Sequence, residues 1–478
     1  MKPDIDLDDP LPPPTVLPLT PDALHGDIEA FLQTLLADLV PDDLSPDGPG
    51  RPRVLPALLL WTALLLCVLH RATSRLAIWR LLSSRGMWHY PRVAVTDQAV
   101  YKRLDAAGTQ PLIDLFSHVS ALLRQRLAPY ADQTLAPFAT SVVAIDETTL
   151  DPVARILPTL RPLARGDAAL LPGKLSSIFD LRLQQWLHVE HQPNPHQNEK
   201  VAARGLLAHI LPGSLILADL GYFSFAWFDD LTNAGYWWVS RLRSKTSWTK
   251  VHTYYEDATT FDGVIWLGAY RADRTARAVR LVRFQVGTRS YQYLTNVLDP
   301  RQLPLHEIAR LYVRRWDIEL GFKLVKQHLG LHMVWTGKSV VVVQQVWAVL
   351  IIAQILQALR LEIAGRAGVD PYEVSMALLV EYLPKFVARG RDGIAEFVEQ
   401  GRDLRFIRPS TRTKVQAPVL DLDVYVPLPA DLVLTRTPRY AERKCGSRKK
   451  PPNSSGAIDD TSTQTAKSRA LKAERERN

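Results

Sequence analysis

Cysteine is scarce in this chain of 478 residues, which contains only Cys67 and Cys445. Two cysteines exclude a disulfide framework and a zinc site built from several thiolates, and they suit a reducing compartment. The N-terminal stretch MKPDIDLDDPLPPP is acidic and rich in proline, which is the opposite of a secretory signal. These features together predict a cytoplasmic protein.

Long uninterrupted apolar runs are also lacking. Residues 54–70 carry Pro56 near their start and are too short to span a bilayer comfortably. Residues 340–359 are interrupted by four glutamines. Both runs are interpreted as buried helices of a large protein, and a membrane-associated protein is the weaker alternative.

Positive charge is in excess, but it is unevenly spread along the chain. The net charge is +9, although residues 1–50 hold eleven acidic residues and a single lysine. Residues 436–478 hold twelve basic and five acidic residues, which leaves +12 for the segment between. Such an excess favours a polyanionic partner, nucleic acid first.

Length and composition divide the chain into several regions. An acidic, partly disordered arm is expected over residues 1–50, with one helix opened by Thr20, and a basic disordered tail over residues 436–478. The segments between them are a helical N-terminal DNA-binding region (51–135), the first part of an α/β core (136–235), a β-strand insertion (236–299), the second part of the core with a signature helix (300–365), and a C-terminal helical region suited to dimerisation (366–435).

A helix is predicted over residues 93–108, with Thr96 as its N-terminal cap. An apolar stripe of alanine, valine and leucine runs along one side, and Lys102 and Arg103 lie on the exposed side. Two interpretations stay open. The helix is either the DNA-reading helix of a helix-turn-helix or an ordinary surface helix with a solvated face.

From residue 140 the pattern changes to strands. Apolar or alternating runs predict strands at 141–150, 174–185, 186–193 and 214–223, and a helix at 199–211 precedes the last of them. The second and third strands are close enough to form a hairpin. This order of three strands, a helix and a strand predicts the opening of a ribonuclease-H-like α/β sheet, whose strands are buried by helices on both faces.

The stretch ARLYVRRWDIELGFKLVKQHLGL, residues 309–331, predicts one amphipathic helix. At about 100° per residue, four polar side chains fall within roughly 60° of one another. They are Tyr312, Arg315, Glu319 and Lys326. Of the two acids in this stretch, only Glu319 lies beside the apolar face and among cations, whereas Asp317 points away. The alternatives are an ordinary surface salt bridge between Arg315 and Glu319, or a carboxylate in a site that handles phosphate.

Two other carboxylates favour the second alternative. Asp146 ends the first predicted strand and Asp219 ends the strand that follows the helix. In a ribonuclease-H-like sheet these two positions are neighbours, and a later helix packs across them. Three carboxylates at one point repel one another unless cations lie between them. Hard oxygen ligands indicate two Mg²⁺ or Mn²⁺ ions, which can activate a water or hydroxyl and stabilise the leaving oxygen of a phosphodiester.

The motifs resemble those of DDE transposases of the insertion-sequence-four type. That family is marked by Tyr, two residues, Arg, three residues, Glu, six residues and Lys, and all four positions and all three gaps occur here. The segment DLGYF, which begins at Asp219, resembles the family's second aspartate motif, and YLTNVLD at residues 293–299 also resembles the family. The resemblance covers roughly residues 140 to 335.

The resemblance implies a role for each of these residues. Asp146, Asp219 and Glu319 would be catalytic and would bind the two metal ions. The predicted DNA contacts of the whole chain are Tyr312, Arg315, Lys326, Arg241, Arg243, Lys102 and Arg103. The family's β-strand insertion also suggests base-stacking aromatics at Trp237, Trp238, Trp248, Trp266, Tyr291 and Tyr293, although core packing explains most of them equally well.

The implied function is that of a transposase encoded by an insertion sequence. It would bind terminal inverted repeats as a homodimer, cut the ends, and join them to target DNA at the nucleoid. One departure is Glu147, since many relatives carry Gly, Ser or Thr after the first aspartate. Either acid of the Asp146–Glu147 pair could therefore bind metal, and motif alignment favours Asp146. The alternatives are a domesticated DNA-binding protein without catalysis and a host nuclease of the same fold.

Overall fold

The computed structural model describes Leu32 and residues 55–440, with gaps at 86–91, 151–172, 195–198, 269–272, 332–333, 388, 390, 411 and 413–414. The predicted acidic arm and its helix, apart from Leu32, lie outside the described residues, and so does the predicted basic tail from residue 441 on.

Helices and strands alternate irregularly along the described chain. The α-helices are α1 (Ala57–Leu69), α2 (Leu76–Arg80), α3 (Asp97–Ala107), α4 (Gln110–Leu127), α5 (Glu199–Leu206), α6 (Phe225–Asn233), α7 (Leu305–Arg314), α8 (Trp316–Lys323), α9 (Ser339–Ala367), α10 (Met376–Val387) and α11 (Gly393–Glu399). The strands are β1 (Val142–Thr149), β2 (Lys174–Asp180), β3 (Gln185–Gln192), β4 (Leu215–Ala218), β5 (Trp237–Arg241), β6 (Trp248–Glu256), β7 (Thr260–Leu267), β8 (Val279–Val286) and β9 (Arg289–Thr295). Shorter segments are π-helical at Leu81–Arg85 and Leu324–His328 and 3-10 helical at Ala128–Tyr130, Leu207–His209, Leu220–Tyr222, Pro371–Glu373 and Leu422–Val424.

All nine strands belong to one mixed sheet, in the order β3-β2-β1-β4-β5-β9-β8-β7-β6. The pairs β1–β4 and β4–β5 are parallel, and the remaining neighbours are antiparallel. The predicted strands near residues 141, 174, 186 and 214 are confirmed, as is the hairpin of β2 and β3. The first strand of the segment predicted as an insertion, β5, pairs in parallel with β4, and the next four extend the same sheet.

Both faces of the sheet are covered. Alternate residues of the central strands face opposite sides, as the two-residue period of a strand requires. Val142 and Ala144 pack in the larger core with α1, α4, α7 and α9, whereas Val143 and Ile145 pack in a second core with α5 and α6. Burial on both faces explains why these strands are apolar throughout and do not alternate with polar residues.

The long helix α9 is the centre of the larger core. It is the one helix among the described residues that is long and apolar enough to cross a membrane, and 89% of its most apolar window is buried inside the molecule. Two of its glutamines satisfy backbone groups there. Gln354 exchanges hydrogen bonds with the backbone of Trp186 on the edge strand β3, at 2.9 Å each, and Gln344 donates to the carbonyl of Leu104 at 2.8 Å. The glutamines that interrupt the apolar run therefore stabilise a sheet edge and a helix end.

The predicted N-terminal cap is also confirmed. The hydroxyl of Thr96 accepts a hydrogen bond from the backbone N–H of Ala99, at the start of α3. This helix buries Val100 and Leu104 and packs against α2 and α9. The first apolar run forms α1, whose residues are mostly buried, so both apolar runs are buried helices as predicted.

Candidate active site

The two aspartates meet because β1 and β4 are parallel and in register. Ile145 is the partner of Ala218 in this ladder, so Asp146 and Asp219 occupy the next level, at the carboxyl ends of both strands. Ala144 and Leu217 belong to the larger core, and each lies two residues before one of these aspartates. Because side chains alternate along a strand, both carboxylates lie on the face that α7 to α9 cover. The sequence predicted both strand ends, and the register brings them together.

The signature helix crosses this end of the sheet, but it is not one continuous helix. It divides into α7 and α8 at Arg315 and continues as a π-helical segment from Leu324 to His328. The prediction of a single regular helix over 309–331 is therefore wrong in detail. The four signature side chains still face the sheet together, since α8 packs directly on β1.

Arg315 joins two of the three carboxylates. Its Nη2 donates a hydrogen bond to Oε1 of Glu319 at 2.8 Å, and its Nη1 lies 3.6 Å from Oδ2 of Asp146. The Arg315 side chain is 6% exposed, that of Asp146 18% and that of Glu319 34%. The Arg315 guanidinium is buried between the two acids, so little water screens its charge from theirs. The interaction therefore differs from a salt bridge on an exposed surface.

Burial raises the pKa of the Asp146 carboxyl to about 6. The charges of Glu319 and Asp219 raise this pKa further, while the N–H of Glu147 and the charge of Arg315 lower it. The charges of Glu319 and Asp219 thus both act on Asp146 at the end of β1. Burial and neighbouring carboxylates make the negative charge of a carboxyl group unfavourable, and such raised pKa values are typical of functional sites that bind cations.

Glu147 faces the opposite side of the sheet. It forms an ion pair with the buried Lys174 and accepts a hydrogen bond from the hydroxyl of Ser176 at 2.7 Å. Asp146, one residue earlier, faces the signature helix instead. The alternation of β1 thus points Asp146, the acid that motif alignment favoured, and Glu147 to opposite sides of the sheet.

Tyr312 and Arg241 lie on the Asp219 side of the acids. Arg241 ends β5 at the level of Asp219 and pairs with Tyr293 of β9, whose ring centroid is 5.1 Å from that of Tyr312. Burial raises the pKa of Tyr312 to about 12, opposed by the charge of Arg315 and supported by that of Asp219. Its hydroxyl is therefore a hydrogen-bond donor at neutral pH.

Lys326 reaches the same end of β1 from the π-helical segment. Its ammonium donates to the hydroxyl of Thr148 at 2.6 Å and to the carbonyl of Thr149 at 2.9 Å. Burial lowers the pKa of this lysine. A π-helical turn adds a residue to the helix and is frequent at functional sites, and here the amino group on this turn bonds to the end of the strand that carries Asp146.

The remaining predicted DNA contacts are placed differently. The guanidinium of Arg243 donates to the carbonyl of Leu220, just after Asp219, at 2.9 Å and lies over the ring of Phe223. Lys102 and Arg103 lie on α3, which packs on α2 and α9 and not on the strands that carry the acids. The structure therefore gathers five of the seven predicted DNA contacts near the acids and leaves those two elsewhere.

Trp316 is a further aromatic that the sequence reasoning did not single out. Its side chain is 54% exposed, it directly follows Arg315, and the Arg315 guanidinium lies 5.3 Å from its ring centroid. By contrast, the suggested Trp238 and Tyr293 are 1% and 3% exposed and belong to the cores. The Arg-Trp pair before the glutamate was the sequence signal that could have indicated it.

One segment of the chain matches a known protein family. Residues 139–355 match the model of a family described as the transposase DDE domain. This match covers just under half of the chain. The resemblance drawn from the Tyr, Arg, Glu and Lys signature is thereby confirmed.

The relatives of this domain are insertion-sequence transposases. The chain is 30% identical over 101 residues to the transposase for insertion sequence element IS231E of Bacillus thuringiensis subsp. finitimus, which is 21% of either chain. It is 28% identical over 131 residues, or 27% of either chain, to that of IS231F of Bacillus thuringiensis subsp. israelensis. The matches thus span less than a third of the length of these two relatives.

A solved structure is also similar. It is a piggyBac transposase in a synaptic complex with hairpin DNA, determined by cryo-electron microscopy. The likeness covers 92% of this chain and 88% of that chain, at 9% identity and a TM-score of 0.39.

The three acids fit a divalent metal by their donor type. Asp146, Asp219 and Glu319 offer hard carboxylate oxygens, which Mg²⁺ and Mn²⁺ prefer. Within the described part of the chain, no group of three or more acidic, histidine or cysteine residues stands in metal-holding geometry. In this arrangement the Arg315 guanidinium supplies the positive charge between Asp146 and Glu319.

Proposed function

We propose that this protein is an insertion-sequence transposase whose catalytic acids are Asp146, Asp219 and Glu319. The observation that carries the proposal is the level shared by Asp146 and Asp219 on adjacent parallel strands, with Arg315 joining Asp146 to Glu319 of the signature helix. The order of β1 to β5 and the parallel β1–β4 and β4–β5 pairs support a ribonuclease-H-like core, and β6 to β9 support the insertion.

The reaction proposed is cleavage of a phosphodiester at each end of the element, followed by transfer of the freed end to target DNA. Two Mg²⁺ or Mn²⁺ ions held by the three acids would activate the attacking oxygen and stabilise the leaving one. Arg315 and Lys326 would offset the charge of the phosphate, and the protonated hydroxyl of Tyr312 would donate a hydrogen bond to it. Burial of these groups strengthens each contact, because the surroundings screen charge less than water does.

The other predicted residues extend this DNA surface. Arg241 and Arg243 lie beside Asp219 and would contact the backbone near the cut, and the exposed Trp316 is placed to stack on a base. Lys102 and Arg103 on α3 would contact DNA further from the chemistry. The substrates proposed are duplexes with terminal inverted repeats and the target. A homodimer would hold both ends in the cytoplasm, at the nucleoid.

The first experiment is cleavage of a labelled duplex that carries the element's own inverted repeat, with Mg²⁺ present. Wild type is compared with Glu319→Gln and with Glu381→Gln. The control is matched, because Glu381 is also paired to a cation one helical turn away at 2.8 Å, on α10. End cleavage that Glu319→Gln abolishes and Glu381→Gln preserves is the expected result. Equal cleavage by the two variants would refute the assigned role of Glu319.

The prediction that only Glu319 lies among cations is wrong, because Asp317 is buried between Arg314 and Arg412. Asp317 is therefore unsuitable as a control for this experiment. Its carboxylate is 0% exposed and accepts hydrogen bonds from Arg314 at 2.8 Å and Gln184 at 2.9 Å. Neutralising it disturbs a buried network and so affects folding. A scrambled duplex serves as the substrate control, because equal cutting of scrambled and natural ends would favour a host nuclease of the same fold.

A further inference from the structure

The C-terminal part of the described chain runs along the outer strands of the sheet. Residues 425–439, here called the strap, begin where the N–H of Val426 donates to the carbonyl of Tyr254 at 2.9 Å. The strap then pairs with the loop before β8, where the N–H of Ala278 donates to the carbonyl of Leu434 at 2.9 Å. It ends at Arg439, opposite Arg274.

Arg274 and Arg439 are direct partners across this short ladder. Each N–H donates to the carbonyl of the other, at 2.7 and 3.1 Å, and the pairing is antiparallel. Residues that exchange both hydrogen bonds are directly opposite, with their side chains on one face. Both arginines are exposed. Like charges placed directly opposite destabilise a ladder. Folding stability therefore does not explain why arginine occupies both of these paired positions.

A third arginine, Arg436 of the strap, lies near this pair. Arg436 lies over the ring of Trp266 at 4.4 Å and donates to the carbonyls of Thr275 at 2.9 Å and Leu267 at 2.5 Å. Burial and then the charge of Arg274 lower its pKa, whereas the charge of Asp229 raises it. Within the described chain, none of the three arginines has a carboxylate at salt-bridge distance. The charge of the buried Asp229 acts on Arg436, and within the described residues the exposed Arg274 and Arg439 face solvent without such an ion pair.

The loop that carries Arg274 is held by a buried acid beneath it. The carboxylate of Asp229, on α6 and 2% exposed, accepts hydrogen bonds from the N–H groups of Ala276 at 2.7 Å and Arg277 at 3.2 Å. Both of its oxygens thus bind the backbone of the loop, and its charge also acts on Arg436. The backbone that carries Arg274 is therefore already ordered before a ligand binds. Binding then costs less conformational entropy.

This cluster lies away from the proposed catalytic acids. Arg241, Tyr293 and Val282 share one level of the sheet, next to Asp219. Ala278 precedes Val282 by four residues, roughly 13 Å along a strand, and β8 lies three strand spacings from β4, roughly 14 Å. The cluster is therefore roughly 20 Å from the acids, which corresponds to about six base pairs of duplex.

We infer that Arg274, Arg436 and Arg439 form a second DNA-binding surface, which holds the phosphate backbone of double-stranded DNA away from the catalytic acids. The inference rests on the proposed transposase function and adds a partner site to it. Phosphates supply the counter-charge that the ladder lacks, and guanidinium groups match them geometrically. Binding at this surface is independent of base sequence, because only backbone phosphates are contacted.

The test measures how DNA affinity depends on salt. Fluorescence anisotropy with a labelled duplex of about 30 base pairs, without metal so that no cleavage occurs, gives the dissociation constant between about 50 and 200 mM salt. The variant is Arg274→Gln with Arg439→Gln, and the control is Arg124→Gln with Arg402→Gln, two arginines exposed elsewhere. All four positions are exposed, so folding should be preserved, as circular dichroism will verify.

The expected result is a salt slope reduced by about 2 in the double variant and unchanged in the control. Over that salt range, wild type should then lose roughly tenfold more affinity than the variant, with natural and scrambled duplexes alike. Equal salt slopes for variant and control would overturn the inference. The proposed function would still stand in that case, provided that wild type cuts the inverted-repeat ends. Absence of end cleavage by wild type would instead overturn the proposed function, whatever the slopes.

Discussion

At the scale of single residues, Arg315 decides how close the acids of the site can lie. Its planar guanidinium contacts Glu319 with one nitrogen and approaches Asp146 with another. A lysine ammonium is a compact point charge on a flexible stem and cannot keep both contacts in one geometry. Arginine at this position is therefore a requirement of shape as well as of charge.

We predict that Arg315→Lys retains the fold but cleaves inverted-repeat ends roughly ten- to hundredfold more slowly. Loss of one hydrogen bond to a charged group costs about 1.5–3 kcal/mol, which corresponds to that factor. Single-turnover cleavage rates measure the effect. Arg310→Lys, at an exposed position of α7, is the control, and the assigned role of Arg315 is contradicted if both variants are equally slow.

A second residue-scale prediction concerns His188, whose ring stacks on that of His209 at 3.6 Å. Burial, and then the charge of His209, lower the pKa of His188 to about 4. Because the folded state binds this proton less readily than the unfolded chain, the associated stability is complete above about pH 6.5 and is lost as pH falls toward about 4. After discounting for solvent screening, the loss amounts to about 1–2 kcal/mol.

We predict that His188→Gln removes this loss. Urea unfolding at about pH 7 and about pH 4.5 should show wild type losing about 1–2 kcal/mol more than the variant. His191→Gln, on the same strand, is the control. The explanation fails if wild type and His188→Gln lose the same stability over this range.

At the scale of elements, the position of α8 on the sheet depends on Gly321. A Cβ atom there would lie 3.0 Å from Cζ2 of Trp186 and 3.6 Å from Cε2 of Phe179. Both aromatic side chains are fully buried, so neither can move aside easily. The absence of a side chain at Gly321 lets α8 approach β2 and β3 closely, which brings Glu319 over the ends of the strands.

Gly321→Ala should therefore destabilise the protein, although alanine favours a helix. Overpacking costs about 1–3 kcal/mol, and the gain in helix propensity is at most about 1 kcal/mol. Gly205→Ala in α5 is the matched control, since nothing lies within 4 Å of its added Cβ, and it should stabilise by about 0.5–1 kcal/mol. Thermal unfolding distinguishes the two. A gain in stability by both variants would contradict the close approach of α8.

At the scale of the whole molecule, one buried ion pair joins distant parts of the chain. Arg280 donates to both oxygens of Asp262, at 2.7 and 2.6 Å, and to the carbonyl of Leu303 before α7 at 2.6 Å. The hydroxyl of Tyr425 in the strap donates to Asp262 at 3.0 Å. The outer strands, the strap and the start of the signature helix therefore share one network, in which both charges are 0% exposed.

Arg280→Met should cost about 3–5 kcal/mol, because it leaves the buried Asp262 charge without its partner. The double variant Asp262→Leu with Arg280→Met should cost less than Arg280→Met alone, since no charge then remains buried. It will still be less stable than wild type, because the carbonyl of Leu303 loses its donor. Chemical denaturation of the three proteins measures this, and a double variant worse than Arg280→Met would exclude the explanation.

The sequence by itself determined the local elements and which side chains are candidates for the active site. The apolar runs near residues 142 and 215, the cap at Thr96 and the signature from Tyr312 to Lys326 are all local patterns. Side-chain periodicity and capping depend on residues a few positions apart, so one sequence suffices to reveal them. The apolar composition of residues 54–70 and 340–359 likewise predicted the buried helices α1 and α9, because composition is also a local property of the chain.

Only the tertiary structure decided how these elements combine. The register of β1 with β4 set Asp146 beside Asp219, and the side of β1 to which each acid points separated Asp146 from Glu147. The exposure of Trp316 and the pairing of Arg274 with Arg439 depend in the same way on packing and pairing between distant segments. Strand order and packing arise from contacts between residues far apart in the chain, which no local periodicity records.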